Sequence, residues 1–470
     1  MVRRRVTAAL SGVGLGGRGM RAEGSSEHPA AGGPSAGELD AQACDLLVKT
    51  DDAVRTSEQE LAFATARLGE RASAPFAAVV NSAHADLAAA FRLRQLLDED
   101  GRQDDAGRQS HLAEISFRCL QASRVLDDHA EAFDRLQDLP ARVPDLLAEV
   151  DAHVAQQTAR VSASRQVLAR LTATYTPQAI GTVATNPDEA AERLGFAAVV
   201  VADAGSDLAA GRSGTVATAL QAAEAATDQA ADLLTAVERT AAGLTQAASA
   251  IPAALREVGV EIAEARTLLA ARPGDEQAGL AVRADEVATA AKAQRTAGPF
   301  DALAALRDVQ RAGSALGHAL ASHRAHPERQ VRARAVLDQA MLVTRTSVRS
   351  ARDFVAARRG GVGARARTRL AEAHRHFEQA IGLVRDDPEA AVAEAQHADA
   401  LALRGSVLAE QDLARFGAER ADNAARDFGG AILGGILIDH GGRMGLASFG
   451  GTATRGRHQL DAGDPGPLSR

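Results

Sequence analysis

Apolar and small residues recur along this chain at steps that alternate between four and three positions. The pattern is clearest over residues 43–68, 112–136 and 216–244. An average step of 3.5 keeps one stripe on one face of a helix, which is typical of helices that pack against other helices. In the first stretch, large residues alternate with small ones: Leu47, Val54, Leu61 and Leu68 against Ala43, Thr50, Ser57 and Ala64. The sequence therefore predicts an all-α protein, an elongated array of long antiparallel helices arranged as helical hairpins and coiled-coil-like bundles, without a sheet.

The composition favours helix and narrows the functional classes. The chain is 46% hydrophobic but only 3% aromatic, so its apolar mass is Ala, Leu and Val. Scarce aromatics argue against a conventional small-molecule pocket. The net charge of -8 comes from acids and arginines interleaved along the chain, which argues against a nucleic-acid binder. No apolar run reaches the ~20 residues of a membrane span.

Segments rich in helix-breaking glycine and proline divide the sequence into four predicted regions. Residues 1–37 are rich in Gly, Ala, Ser and Pro and are expected to form a disordered leader. Residues 38–175 are predicted to form a four-helix bundle, and residues 188–427 a region of helical hairpins. Residues 428–470 are predicted to form a glycine-rich, flexible tail.

Prolines are expected to open helices or to mark the joints between them. Pro75 and Pro144 are predicted to start the second and fourth helices. Pro252 is predicted to separate a helix ending near residue 248 from the next one.

No histidine or cysteine pattern indicates catalysis. His374 and His376 are two apart on a predicted helix, so they point to different faces and cannot jointly bind a metal. His129 falls on an apolar stripe and is interpreted as a seam residue, as is Cys119. Cys44 and Cys119 form no CxxC pair, which favours a reducing cytoplasm. We therefore predict a non-enzymatic protein with no metal and no cofactor.

One group of arginines is a candidate binding surface. Arg358, Arg359, Arg365, Arg367 and Arg369 belong to a 24-residue window, 352–375, that holds only two acids. One interpretation is contact with an anionic partner, either a membrane surface or an acidic protein. The other, which the sequence favours, is a solvated hairpin tip.

Three stretches together resemble a known family. They are DDAVRTSEQEL (Asp51–Leu61), DFVAARRGGVGARARTRLAEA (Asp353–Ala373) and SFGGTATRGR (Ser448–Arg457). They are similar to the C-terminal portion of actinobacterial TPM-domain proteins, over about residues 38–457. In that family an extracytoplasmic α/β TPM domain and a transmembrane helix precede a cytoplasmic helical region and a glycine-rich tail.

The resemblance implies a role without implying a catalytic residue. The family's suspected phosphatase-like chemistry belongs to the TPM domain, which nothing before Glu38 matches. The chain is therefore expected to be a shortened member, or one whose gene starts further upstream. We predict a helical scaffold or interaction module that binds protein partners through its helical faces. It is expected in the cytoplasm, with attachment to the inner face of the cell membrane as a further hypothesis. The alternative is the regulatory arm of a TPM phosphatase-like enzyme.

Overall fold

The computed structural model describes residues 35–99, 105–137, 139–210, 216–271, 275–321, 324–421, 437–439, 444–446 and 449–454. These ranges form twelve α-helices, two 3-10 turns and one pair of three-residue strands. The all-α prediction is confirmed, with the strand pair as a small addition. The predicted leader lies outside the described residues except for its last three positions.

The described chain divides into two compact units. Unit 1 runs to Gln137 and includes the chain again from Ala447; unit 2 is Asp138–Leu446. The helices of unit 1 are α1 (Ala36–Leu68), α2 (Glu70–Glu99) and α3 (Asp105–Gln137). Each of the three helices packs against the other two.

Unit 2 is built along one long helix. Its helices are α4 (Leu139–Thr174), α5 (Pro177–Ile180), α6 (Asn186–Ala209), α7 (Val216–Ala271), α8 (Asp275–Ala297), α9 (Ala302–Leu320), α10 (His326–Ala357), α11 (Ala364–Leu383) and α12 (Pro388–Ala421). Helix α7 has 56 residues and is about 84 Å long at 1.5 Å per residue. It packs against α4, α6, α8, α9 and α10. Helices α10, α11 and α12 share a further core of their own.

A short antiparallel pair completes unit 2. Strands β1 (Leu437–Asp439) and β2 (Met444–Leu446) pair with Ile438 opposite Gly445. The sequence predicted no strand there.

Local chemistry explains where several helices begin and end. The Ser35 hydroxyl accepts a hydrogen bond from the Glu38 amide, and the Glu38 carboxylate accepts one from the Ser35 amide, so α1 starts with a capping box. Helix α1 ends at Gly69, whose φ of 85° suits glycine. The Asp301 carboxylate accepts a hydrogen bond from the Ala304 amide at 2.8 Å and caps α9.

The predicted stripes form the cores. Every residue of the stripe in α1 is buried or half-buried, and the stripe of α3 has the same character from Leu112 to Leu136. In α7 the stripe is buried from Val216 to Leu244 except at the half-buried Ala241. Polar members of the stripes bond to backbone: the Thr227 hydroxyl donates to the Ala223 carbonyl at 2.7 Å. The residues at the 3-4 spacing therefore form the packing faces of these helices.

The predicted role of three prolines is wrong. Pro75 and Pro144 lie inside α2 and α4, and Pro252 lies inside α7, which continues through it. A proline inside a helix removes one backbone hydrogen bond. On either side of Pro252, Ile251 and Ala254 are buried in one continuous core, and this packing keeps the helix unbroken.

The boundary between the two helical regions was predicted at residues 176–188, but the structure divides the chain after Gln137. Helix α4 was assigned to an N-terminal four-helix bundle, but it packs against α6 and α7 and belongs to unit 2. Its buried residues Leu146, Val150 and Val154 share a core with Ala197 and Leu220. The described part of unit 1 therefore contains three helices, α1 to α3.

The glycine-rich tail includes one ordered segment that the sequence did not predict. Phe449 is only 1% exposed and stacks on Phe133 of α3, with ring centroids 4.2 Å apart. The Gly450 amide donates to the Ser57 hydroxyl at 3.2 Å, and the Thr454 amide donates to the Asp127 carboxylate at 2.7 Å. Residues 449–454 therefore pack against α1 and α3 in unit 1.

Candidate functional site

The predicted arginine surface lies at the joint between α10 and α11, and most of it is used inside unit 2. Arg358 ends α10, and its guanidinium donates to the Thr185 hydroxyl, the Asn186 side-chain carbonyl and the Glu189 carboxylate. It also stacks over the Phe354 ring, 4.5 Å from the centroid. Arg358 therefore joins α10 to the start of α6.

Arg367 closes the turn between α10 and α11. Its side chain is buried, and its guanidinium donates to the Val362 carbonyl at 3.0 Å and to the Arg359 carbonyl at 2.7 Å. Arg369 donates to the buried Glu372 carboxylate at 2.8 Å. Of the five predicted residues, Arg365 alone is classed as exposed, and Arg359 is half-buried. The solvated-tip interpretation does not describe the buried Arg367, and contact with an anionic surface stays a prediction.

The electrostatics of this joint favour the charged pair between Glu189 and Arg358. Burial opposes ionisation of Glu189, but the positive charge of Arg358 and the Thr185 hydroxyl bring the pKa of the carboxyl below its usual value. Arg193, one turn along α6, bonds to the Ala357 carbonyl at 3.0 Å. Two arginines therefore fasten the end of α10 to α6.

The structure brings together a group of histidines and glutamates that the sequence reasoning missed. Glu372, His376 and His397 hold ligand atoms within 4.8 Å of one another. The imidazole rings of His376 and His397 meet edge to face, with centroids 4.4 Å apart. The His376 Nδ1 donates to the Glu394 carboxylate at 2.6 Å. The group joins α11 to α12 and opens from the buried Glu372 to the exposed His397.

A signal for this group was present in the sequence. Glu372 and His376 are four apart, and Glu394 and His397 are three apart, so each pair lies on one helix face. The sequence analysis compared His376 with His374 of the same helix, but the partner of His376 in this group is His397. His374 lies near Glu378 and Arg352 instead.

The other sequence candidates have structural roles. The His129 Nδ1 donates to the Val125 carbonyl of its own helix at 2.9 Å. Cys119 is fully buried, and burial raises the pKa of its thiol to about 12, so it is not a thiolate near neutral pH.

Unit 2 also contains a cavity of about 430 Å³ between α7, α9, α10 and α12. Its apolar wall includes Val258, Val309 and Val336, and no Phe or Tyr of the described residues lines it. Two buried amide atoms in this wall, Gln310 Nε2 and Gln339 Oε1, have no hydrogen-bond partner.

Two arginines of the cavity lining are paired with carboxylates within the protein. Arg324 donates to the carboxylates of Glu261 and Glu264, and Arg332 donates to the same two groups. Hydrogen bonds from Arg324 lower the pKa of Glu264. These four side chains tie α7 to α10 and to the end of α9.

No helix among the described residues combines the length and the apolar character that a bilayer span requires.

Two curated proteins are similar to this chain. One is a UPF0603 protein of Mycobacterium tuberculosis strain CDC 1551 / Oshkosh, and the other a UPF0603 protein of strain ATCC 25618 / H37Rv. Each is 34% identical over 443 residues, which cover 90% of this chain and 66% of the relative. The chain thus spans a little under two thirds of the length of these relatives. No family model and no solved structure matches it.

Proposed function

We propose that the chain is a non-enzymatic helical scaffold that binds protein partners through exposed helical faces. The observation that carries this proposal is an apolar pair on α3 of unit 1. Phe117 is 49% exposed and Leu120 is 38% exposed, and their i, i+3 spacing puts them on one face. An exposed apolar pair on one helix face can dock against the apolar face of a partner helix.

The proposal is tested by photo-cross-linking of the full chain in its native host. A photoreactive phenylalanine replaces Phe117, and the control carries it at the exposed Glu131 of the same helix. We expect a discrete cross-linked species at position 117 that is absent at position 131. The double variant Phe117→Ser, Leu120→Ser should lose the partner and keep its thermal midpoint. Absence of cross-links at both positions would contradict the proposal.

The alternative function is the regulatory arm of a TPM phosphatase-like enzyme. It is favoured by the length of the M. tuberculosis relatives, since the aligned part covers only 66% of each of them. In this alternative, chemistry belongs to the unaligned part, and the helical region controls it. A p-nitrophenyl phosphate assay should give no hydrolysis by this chain and measurable hydrolysis by the intact relative. Hydrolysis by this chain alone would exclude both functions.

The proposed location is the cytoplasm, with peripheral attachment to the inner face of the membrane as a separate hypothesis. Each arginine near an anionic surface contributes ~1 kcal/mol. Because Arg358, Arg367 and Arg369 are engaged within unit 2, we expect Arg365 to be the main contributor. Cosedimentation with phosphatidylserine vesicles, for the chain and for Arg365→Gln, tests this at low and high salt. Equal binding by both would exclude the arginine surface.

A further inference from the structure

We propose that Glu372, His376 and His397 form a binding site for a zinc ion between α11 and α12. The ligand atoms of the three side chains already lie within 4.8 Å of one another. A tetrahedral zinc site with bonds near 2 Å separates its ligand atoms by about 3.3 Å. Closing the site therefore requires side-chain rotations that shorten the ligand-to-ligand separations by at most about 1.5 Å.

Close packing of the two helices is what lets these side chains meet. The seam that α11 and α12 form with α10 is rich in alanine: Ala366, Ala373, Ala380, Ala391, Ala395, Ala398 and Ala402 are all buried in it. Small seam residues bring helix backbones close together. Glu372 and His376 are each one residue before a seam residue, Ala373 and Phe377, and so flank the seam on α11. From there they reach His397 on α12.

The donor set suits zinc. Two imidazoles and one carboxylate are the ligands of many zinc sites that keep a fourth position for water. Imidazole also binds copper and nickel, whereas calcium and magnesium prefer all-oxygen sites. The burial gradient from Glu372 to the exposed His397 leaves one side open, so a water molecule can take the fourth position.

Glu394 has a supporting role. Its carboxylate accepts the hydrogen bond from His376 Nδ1 at 2.6 Å, so Nδ1 carries the hydrogen and Nε2 presents its lone pair. A carboxylate behind a histidine is the usual device that orients a metal ligand and raises its basicity. Glu394 is therefore a positioning residue, and because it holds Nδ1, zinc would bind His376 through Nε2.

Two arginines donate hydrogen bonds to the proposed ligands in the metal-free protein. Arg375 Nη2 donates to His376 Nε2 at 3.1 Å, so a cationic N–H occupies the lone pair that zinc would take. Arg369 donates to Glu372 at 2.8 Å. Zinc binding is then an exchange of one cation for another, with Arg375 turning outward. Removing the charge of Arg375 should strengthen zinc binding.

The experiment is isothermal titration of the full chain with Zn²⁺, with four variants compared under the same conditions. Wild type should show a site that His397→Ala weakens by about 100-fold or more, and Glu394→Gln by about 10- to 100-fold. His374→Ala, two residues from His376 and outside the group, is the matched control and should bind as wild type does. Arg375→Gln should bind more tightly.

A second measurement separates metal ligation from folding. His397 is exposed, so His397→Ala should keep the metal-free thermal midpoint. Co²⁺ should produce the visible absorption of a tetrahedral site in wild type and in His374→Ala, and lose it in His397→Ala. Equal Zn²⁺ binding by wild type and His397→Ala would overturn the proposal, and so would equal losses in His374→Ala and His397→Ala.

Discussion

The helix seam of unit 1 that holds Thr50 and Ser57 and the α9–α12 part of unit 2 bury different kinds of polar group. Elsewhere in unit 1 a charged side chain, Arg94, is buried and donates to Asp40 and Asp98. In unit 1 the buried polar groups along the seam are neutral hydroxyls: Thr50 donates to the Cys119 carbonyl, and Ser57 accepts from the Gly450 amide. In unit 2 a charged pair is buried, since the Arg307 guanidinium donates to Asp399 at 2.8 Å and 3.2 Å. Ser347 completes that group, donating to Asp399 at 2.7 Å.

This difference decides which substitutions destabilise each region most. A hydroxyl that loses a partner leaves a small, uncharged group, whereas an unpaired buried charge is costly. Unit 1 is therefore expected to be sensitive to loss of packing around its aromatic group, Phe76, Phe133 and Phe449. The α9–α12 region is expected to be sensitive to loss of either partner of its ion pair.

The largest expected effect is that of Asp399→Ala. The substitution leaves Arg307 buried and uncompensated, which costs about 3–5 kcal/mol of unfolding free energy. Hydrogen exchange should increase in α9, α10 and α12 and stay unchanged in α1–α3. The control is Arg311→Gln, since Arg311 is half-exposed and its contact with Asp399 is worth at most about 1 kcal/mol. Equal losses in the two variants would mean that burial of the charge is not decisive.

Phe449→Ala should have the next largest effect, and in unit 1 alone. It removes the stacking on Phe133 and the edge contact with Phe76, at a cost of about 3 kcal/mol. Urea unfolding of unit 1, followed by hydrogen exchange, measures the loss. Phe117→Ala is the matched control, because Phe117 is exposed, and should stay within about 0.5 kcal/mol. If the two variants behave alike, residues 449–454 do not stabilise unit 1.

Two glycine substitutions should act in opposite directions within unit 2. A Cβ at Gly405 would lie 2.7 Å from Leu370 Cδ2, so Gly405→Ala should cost about 1–3 kcal/mol through overpacking of α11 against α12. A Cβ at Gly259 meets nothing within 4 Å, so Gly259→Ala should stabilise α7 by about 0.5–1 kcal/mol. Thermal midpoints report both changes. A stabilising Gly405→Ala would contradict the close approach of the two helices.

The smallest effect concerns the thiol of Cys119. Burial raises its pKa from 9.0 to about 12. Because the folded pKa is the higher one, this contribution to stability is fully present below pH 9 and is lost as pH rises towards 12. At pH 8 we expect no effect on stability, and iodoacetamide should label Cys44, which is half-buried, well before Cys119. Equal labelling rates in the native protein would show that α3 opens readily.

The helices and their buried faces could be predicted because they follow from local spacing. A stripe such as that of α7 needs only the helical period and the side-chain sizes, and both are in the sequence. Local capping chemistry marks some helix ends, as at Gly69 and at Ser35, although Ser35 falls in the predicted leader. The predicted break at Pro252 is wrong because the packing of Ile251 and Ala254 on either side outweighs the local cost of the proline.

The arginine group shows the same limit at the candidate site. Its composition indicated a positive surface, yet the partners of Arg358 include Glu189, which lies 169 residues earlier in the chain. His376 likewise required a partner on another helix, His397, to be recognised. Charge counted along a window cannot reveal partners that folding brings from elsewhere.

The sequence by itself determined that this chain is helical, which faces of its long helices are buried, and where many of them end. Each of these depends on neighbours within a few residues, where propensity, period and capping act. Only the tertiary structure decided that α4 belongs to unit 2, that Phe449 packs in unit 1, and that Glu372 meets His397. The physical reason is that buried area, charge pairing and ligand geometry are properties of contacts between distant residues, and an Ala-rich seam is compatible with many pairings of helices.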